Sequence, residues 1–412
     1  MTRLLTAGLG FLSLAVSTTS FAGGSTAPAT QASIGVAAWG NSAIRNSAEL
    51  PNLMRLLSRA RGSTTTQAGK IDFLGDSQTC GYELLNASPS ASTVTGNPVA
   101  RMAAALNVRG VITRADYMGP NFGGGAAGYS LDPRVTLGSG WTAVGHSGGG
   151  INDFENTTTT TTLSFAPTNS VTGFNFWYSQ YFGASWTYNI DGGSNTTVTY
   201  SSNQSGSGIQ KITIAGLTEG THTLNITRVS GIPYIIGVDP FDANASAARE
   251  VNICSGGQTT SSYIQSTTSL YMGAIWPAMV NSGDVVVIAL GVNDFNTGSP
   301  YAQIQANLQT LIAQVQAKGA DVIVTSQIPF YSYTSPNSAY AGMTLLQQNT
   351  QLMQTYAAAA AAMGVPFLDF SGRFNYDAAA MNAAGFMYNN AHGGPELEDN
   401  WGAFIAMSLL QL

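Results

Sequence analysis

Residues 71–81 read IDFLGDSQTCG and combine an apolar-rich run with a Gly-Asp-Ser turn. The apolar-rich residues 71–74 predict a buried strand, and the small turn Gly75-Asp76-Ser77 follows it directly. Functional side chains of parallel α/β sheets lie at the carboxyl ends of the strands. Ser77 is therefore a candidate nucleophile at such an edge. On these residues alone, a helix N-cap explains Asp76 and Ser77 equally well.

The segments that surround this stretch alternate between helix and strand. Buried strands are indicated by uninterrupted apolar runs, and helices by apolar residues at a spacing of three and four. Such an alternation predicts a parallel sheet with helices on both faces. The predicted helices cover 97–106, 304–318 and 345–363, and the later predicted strands cover 284–290, 321–325 and 365–370.

The middle of the chain, residues 131–245, has no helical period. It contains a run of six Thr at 157–162 and alternating stretches such as 171–178 and 186–190, with Gly-rich turns between them. This pattern is typical of a β-sandwich. We therefore expect an inserted all-β domain, with residues 67–130 and 246–412 forming one α/β domain around it.

The insert is rich in aromatic residues. Most aromatic side chains in a sandwich belong to its core, and a platform that stacks on sugar rings is the alternative. The residues concerned are Phe174, Phe176, Trp177, Tyr178, Tyr181, Phe182 and Trp186.

Few residues of the chain are charged. Only 15 Lys and Arg and 21 Asp and Glu occur among 412 residues, which is 9% with a net charge of −6. An ordinary soluble protein carries roughly 25%. The net negative charge and the lack of a run of basic residues argue against a nucleic-acid partner. The 44% apolar content argues against disorder driven by charge. A neutral polar surface suits a secreted protein that meets neutral polymers.

The first residues predict export. Residues 1–22 combine one positive charge, an apolar stretch and a small-residue cleavage site, as a signal peptide does. A buried N-terminal helix is the alternative. Residues 23–66 are interpreted as a linker and a lead-in helix. No later segment reaches the roughly 18 apolar residues of a membrane span. We expect a secreted or periplasmic protein without a membrane span.

Histidine is scarce, which limits the candidates for a general base to His146, His222 and His392. We expect His222 to be structural, in the middle of a strand. No two histidines have the spacing of metal ligands, so neither a metal nor another cofactor is predicted. Ser147 lies in a G-x-S-x-G pattern and is a second candidate nucleophile, although no helix follows it as that motif requires.

Four segments in order resemble the blocks of the SGNH/GDSL hydrolase family. They are Gly75-Asp76-Ser77, residues 252–260 (NICSGGQTT), Gly291-Val292-Asn293-Asp294, and His392 before a helix-like segment at 401–410. The resemblance implies a flavodoxin-like three-layer α/β/α fold. It is strongest to members with an inserted β-sandwich, among them carbohydrate O-acetylesterases.

The resemblance also implies roles for these residues. Ser77 would attack an ester carbonyl, and His392 would act as general base. The oxyanion would be held by the backbone N–H groups of Ser77 and Gly257 and by the side-chain amide of Asn293. Gly256 replaces Gly257 if the alignment shifts by one residue. Asp76 and Asp294 are expected to hold the loops.

One position departs from the family pattern. The family has Asp three residues before its catalytic His, and this chain has Asn389 there. Asn can orient the imidazole through its carbonyl oxygen but cannot stabilise an imidazolium by charge. Three interpretations stay open: a dyad with Asn support, an acid from elsewhere, or a weakened enzyme. The candidate acids are Asp377, Glu396 and Asp399.

The two cysteines flank the implied site. Cys80 lies three residues after Ser77, and Cys254 lies three before Gly257. If both loops border one oxyanion hole, the two sulfurs can form a disulfide, and two buried free thiols are the alternative. The chain is thus predicted to be a secreted serine esterase that removes acyl groups, O-acetyl above all, from a carbohydrate. An acyltransferase and a carbohydrate-binding protein with weakened activity are the alternatives.

Overall fold

The computed structural model of the chain describes residues 44–45, 49–62, 67–81, 96–119, 132–145, 152–202, 208–265, 271–329, 335–389 and 391–412. The predicted signal peptide and most of the predicted linker lie outside these residues.

The elements are numbered in chain order. The strands are β1 (Ile44–Arg45), β2 (Gly69–Gly75), β3 (Thr113–Arg114), β4 (Val135–Leu137), β5 (Trp141–Gly145), β6 (Asn152–Asn156), β7 (Thr162–Phe165), β8 (Val171–Ser179), β9 (Ala184–Ile190), β10 (Thr196–Tyr200), β11 (Ile209–Gly220), β12 (Leu224–Gly231), β13 (Tyr234–Phe241), β14 (Ala248–Cys254), β15 (Val285–Ala289), β16 (Asp321–Thr325) and β17 (Phe367–Leu368). The α-helices are α1 (Pro51–Arg61), α2 (Ser77–Cys80), α3 (Pro98–Val108), α4 (Thr260–Ile264), α5 (Met272–Met279), α6 (Val292–Asn296), α7 (Tyr301–Ala317), α8 (Leu345–Ala362), α9 (Ala378–Ala383) and α10 (Pro395–Leu409).

One sheet has the order β1-β17-β16-β15-β2-β14-β3, and all neighbours are parallel except β1 and β17. Alternate side chains of its strands enter two separate cores. Ile71 and Phe73 of β2 pack with α1, α3 and α10, whereas Leu74 packs on the opposite side with α5, α7 and α8. Because helices cover both faces, the three-layer α/β/α prediction is confirmed.

The insert lies between β3 and β14 and consists of two antiparallel five-stranded sheets. Their orders are β10-β9-β12-β7-β4 and β11-β8-β13-β6-β5. The β-sandwich prediction is therefore confirmed. In β9, which belongs to the sheet that begins with β10, core-facing residues alternate with more exposed ones, as expected. In β8, of the other sheet, every residue is buried.

The double burial of β8 has a structural reason. One face of its sheet packs into the sandwich core through Phe174, Phe176 and Tyr178, and the other face packs into the α/β core through Trp177. The indole Nε1 of Trp177 donates a hydrogen bond to the carbonyl oxygen of Ala278 in α5, at 3.1 Å. The sandwich is thus joined to the α/β domain by a shared hydrophobic core.

The aromatic residues of the insert are mostly core, as expected. Phe174, Phe176, Trp177 and Trp186 are at most 1% exposed, so they cannot form a sugar platform. Tyr181 and Phe182 are half-buried and pack against Tyr234.

Candidate active site

Three neighbouring parallel strands end in register at one edge of the sheet. Gly75 of β2 is paired with Cys254 of β14 on one side and with Ala289 of β15 on the other. The turns that carry Ser77, Gly257 and Asn293 begin directly after these positions. Residues far apart in sequence are thereby brought to one edge, where open α/β sheets place their sites.

Ser77 is the first residue of α2, and its hydroxyl meets an imidazole. Ser77 Oγ lies 2.9 Å from Nε2 of His392, which is 315 residues away in the chain. Ser77 is half-buried and His392 is 9% exposed. A hydroxyl within hydrogen-bond reach of an imidazole nitrogen is the arrangement of a serine nucleophile and its base.

The position of the expected acid is occupied by the side chain of Asn389. Its Oδ1 atom accepts hydrogen bonds from the backbone N–H groups of Ala391 and His392, at 2.8 and 2.9 Å. The same oxygen lies 3.1 Å from Nδ1 of His392. Since this oxygen can only accept, Nδ1 must carry the ring proton. The lone pair of Nε2 is then directed at Ser77.

The imidazole is kept neutral by its surroundings. Burial lowers the pKa of His392 to about 4. A neutral ring is the form that can accept a proton from Ser77. His392 therefore stays competent as a base well below neutral pH.

Two of the other candidate acids, Asp377 and Asp399, are used elsewhere. Asp377 Oδ1 accepts from the backbone N–H of Ala380 and caps α9, and Asp399 forms an ion pair with Arg101 at 2.6 Å. Glu396 lies in the first turn of α10. These positions give structural roles to Asp377 and Asp399.

The side-chain amide of Asn293 lies beside the nucleophile turn but already has two acceptors. Its Nδ2 donates to Asp76 Oδ2 at 3.0 Å and to the carbonyl oxygen of Gln258 at 2.9 Å. An amide nitrogen has two hydrogens. Asn293 can therefore donate to an oxyanion only by sharing or releasing one of these bonds.

Gly257 is exposed and has a φ of +73°, in the left-handed region. Side chains rarely adopt this conformation, which explains why glycine is needed at this turn. The alternative residue, Gly256, does not have a left-handed φ.

Asp76 and Asp294 hold the loops, as expected. Asp76 caps α2 by accepting a hydrogen bond from the backbone N–H of Gln78 at 3.0 Å. Burial raises the pKa of Asp76 to about 7, although the hydrogen bond from Gln78 lowers this pKa. Asp294 accepts from both the backbone N–H and the hydroxyl of Thr260, at 2.8 and 2.6 Å. Burial raises the pKa of Asp294 as well.

Two glutamines of the site were not found by sequence reasoning. Gln327 follows β16, donates from Nε2 to Asp76 Oδ2 at 2.9 Å, and accepts from the backbone N–H of Val292 at 3.1 Å. Gln78 follows Ser77 and bonds to two other loops. The one sequence signal for Gln327 is its position just after a buried parallel strand.

Cys80 and Cys254 form a disulfide, with their Cα atoms 5.6 Å apart. Cys80 ends α2 and Cys254 ends β14. The bond thus joins the turn that carries Ser77 to the one that carries Gly257, and both cysteines pack against the sandwich core.

The remaining candidates are Ser147, His146 and His222. Ser147 and His146 are outside the described residues, but the flanking Gly145 and Asn152 pair as partners of the antiparallel strands β5 and β6. The next element among the described residues is thus the strand β6. The prediction of a strand at His222 was wrong: it lies in the turn between β11 and β12, with Nδ1 2.6 Å from Asp191 Oδ2.

Two further properties concern the described residues alone. No group of three or more His, Cys, Asp or Glu side chains among them is arranged to hold a metal ion. In that part of the chain, no helix has the length and apolar character needed to cross a bilayer.

Comparison with known proteins finds a family model that matches part of the chain. Residues 241–394 match the model of the GDSL-like Lipase/Acylhydrolase family. The matched segment contains Gly257, Asn293 and His392, whereas Ser77 lies before the insert and outside it. No curated protein sequence matches the chain.

Solved structures resemble the chain to different extents. One titled "Peptidoglycan O-acetylesterase in action, 5 min" is 12% identical, covers 90% of this chain and 98% of its own, and has a TM-score of 0.64. An active site mutant of a family two carbohydrate esterase from Clostridium thermocellum is 11% identical over 68% of this chain and 98% of its own, with a TM-score of 0.29. The family match over residues 241–394, the shared fold and the arrangement at the sheet edge together support an SGNH-type hydrolase that acts on carboxylic esters.

Proposed function

We propose that the chain is an exported serine esterase that removes O-acetyl groups from a carbohydrate, with Ser77 as nucleophile and His392 as general base. The observation that carries the catalytic assignment is the 2.9 Å contact between Ser77 Oγ and His392 Nε2. The protonated Nδ1 of His392, held by Asn389, supports it because Nε2 is then free to accept a proton.

Acylation begins with attack of Ser77 Oγ on the ester carbonyl carbon, while Nε2 of His392 takes the hydroxyl proton. The negative charge on the carbonyl oxygen is held by the backbone N–H groups of Ser77 and Gly257. Asn293 joins them by giving up its bond to the carbonyl oxygen of Gln258. Each such donor typically lowers the barrier by about 3–4 kcal/mol.

Collapse of the intermediate breaks the ester C–O bond, and His392 returns the proton to the leaving alcohol oxygen. A water molecule then attacks the acyl carbon and gives a proton to His392. As the Ser77 Oγ–C bond breaks and acetate leaves, His392 returns this proton to Ser77 Oγ and the resting enzyme is restored. If a sugar hydroxyl replaces this water, the same steps give acyl transfer.

In this cycle the side-chain carbonyl dipole of Asn389 faces His392 in place of the carboxylate charge that was expected there. The carbonyl oxygen orients the ring in the resting state, but it stabilises the transient imidazolium less than a carboxylate would. We therefore propose a Ser–His dyad with Asn support, rather than a triad.

Support for the substrate and for export comes from other observations. The fold is shared over 90% of the chain with a peptidoglycan O-acetylesterase, which makes an O-acetylated glycan the first substrate to test. The Cys80–Cys254 disulfide suits an oxidising compartment outside the cytoplasm.

The experiment compares wild type with Ser77→Ala and Ser147→Ala on a chromogenic acetyl ester and on acetylated polysaccharides, with and without an acceptor sugar. We expect acetate release by wild type and by Ser147→Ala, and none by Ser77→Ala. Acylated sugar as the main product favours a transferase. If wild type shows no turnover and Ser77 is not labelled by a fluorophosphonate, the proposal is contradicted and a binding protein is favoured.

A further inference from the structure

We infer that Gln78 is a positioning residue that sets the distance between the nucleophile and the general base. The inference rests on the proposed roles of Ser77 and His392. Gln78 follows Ser77 directly and is only 1% exposed, so its polar atoms must be satisfied within the protein.

The side-chain amide of Gln78 joins three loops. Its Nε2 donates to the carbonyl oxygen of Ala391, next to His392, at 2.9 Å. It also donates to the carbonyl oxygen of Ile328 at 3.1 Å, and Oε1 accepts from the backbone N–H of Ile328 at 3.0 Å. The nucleophile turn, the loop after β16 and the loop of His392 are therefore held by one side chain.

This bridge matters because the two catalytic residues come from different parts of the fold. Ser77 is fixed by the end of β2, whereas His392 lies in a loop before α10. The direct contact between them is the one that changes during catalysis, since the proton moves along it. The amide of Gln78 provides a second connection that does not take part in the proton transfer.

The chain offers a matched control in Gln348. This glutamine is also fully buried, and its Nε2 donates to two carbonyl oxygens, those of Asn337 and Tyr340, at 2.9 and 3.1 Å. Its Oε1 accepts from the backbone N–H of Asn337 at 2.8 Å. Gln348 lies in α8, so removal of its amide tests the stability cost of the same hydrogen bonds away from the site.

The experiment measures kcat, KM and Tm for Gln78→Leu and Gln348→Leu with a small acetyl ester. We expect both variants to lose a similar amount of Tm. Only Gln78→Leu should lose kcat, by about 10- to 100-fold, the range that a misplacement of about 1 Å can produce. KM should change little, because Gln78 is buried.

A second variant, Gln78→Glu, covers the case in which Gln78→Leu does not fold. A glutamate retains the acceptor for Ile328 N–H, but its carboxylate faces the carbonyl oxygen of Ala391 without a proton to donate. Protonation restores one donor. The kcat of Gln78→Glu relative to wild type should therefore rise as the pH is lowered from 8 to about 5, a range in which His392 of the wild type, with a pKa of about 4, stays neutral.

Equal kcat for wild type and both Gln78 variants would overturn the inference, as would a similar loss of kcat in Gln348→Leu. These outcomes are separate from failure of the proposed function, because an active Ser77→Ala would reject the catalytic assignment itself.

Discussion

The Oδ1 atom of Asn389 accepts from two backbone N–H groups and lies 3.1 Å from Nδ1 of His392. An uncharged side chain thus orients the imidazole ring. We expect Asn389→Asp to keep or raise kcat, since a carboxylate would hold the same geometry and stabilise the imidazolium. Steady-state kinetics with a chromogenic acetyl ester measures this.

The companion variant is Asn389→Ala, which removes the acceptor and leaves the ring free to turn. Its kcat should fall by about 10- to 100-fold. A large loss of kcat in Asn389→Asp, with circular dichroism and Tm unchanged, would contradict the role given to this residue.

The pH dependence of the wild type follows from the buried imidazole. Because burial lowers the pKa of His392 to about 4, kcat/KM should stay near its maximum down to about pH 5 and fall as the pH passes through 4. In Asn389→Asp the new charge should raise that pKa, so its acid limb should lie at higher pH. Equal acid limbs for both proteins would contradict this.

The same group links stability to pH. The folded pKa of His392 lies below its ordinary value of 6.5, so protonation favours the unfolded chain. Its contribution is fully present above pH 6.5 and is lost as the pH falls towards 4. Urea midpoints of wild type and His392→Gln, compared between pH 7 and 4, measure the contribution of His392 to the free energy of unfolding. The midpoints of the two proteins should converge at low pH.

The disulfide predicts no free thiol in the oxidised protein. A thiol titration of unfolded, unreduced protein should find none, and reduction should lower the free energy of unfolding by at most about 5 kcal/mol. The double variant Cys80→Ser/Cys254→Ser is the control, because reducing agent should not change its stability. Two titratable thiols would show that the bond does not form.

The shared core predicts that the two domains unfold together. Trp177→Ala removes a fully buried side chain that packs on the α/β core and bonds to Ala278, and should cost about 3–5 kcal/mol. Calorimetry should show one transition in both proteins, shifted downward in the variant. Trp186→Ala, within the sandwich core, serves for comparison. Two separate transitions, of which only one shifts, would contradict a common core.

The sequence was sufficient to predict the parallel sheet and the positions at its edge. Ser77 follows an apolar-rich strand and Asn293 an uninterrupted apolar run. Gly257 instead follows β14, which contains Arg249, Glu250 and Asn252, so only the resemblance to a family block indicated its place. Parallel strands end at a common edge, so their turns could be placed together without knowledge of the packing.

The supporting contacts could not be predicted in the same way. Gln78 and Gln327 belong to no motif, and their partners, such as Ala391, are backbone groups that carry no signal in the sequence. The existing bonds of Asn293 depend on the exact positions of Asp76 and Gln258. His222 alternates with its neighbours as a strand residue would, yet Asp191 holds it in a turn.

The disulfide has one more consequence. Because Cys80 and Cys254 are 174 residues apart, the oxidised chain contains a closed covalent ring that includes the whole sandwich. Ser77 and His392 lie on opposite tails of this ring. A protease that cuts one peptide bond anywhere within the ring would leave both tails in a single molecule, and only a reducing agent would then separate the nucleophile from its base.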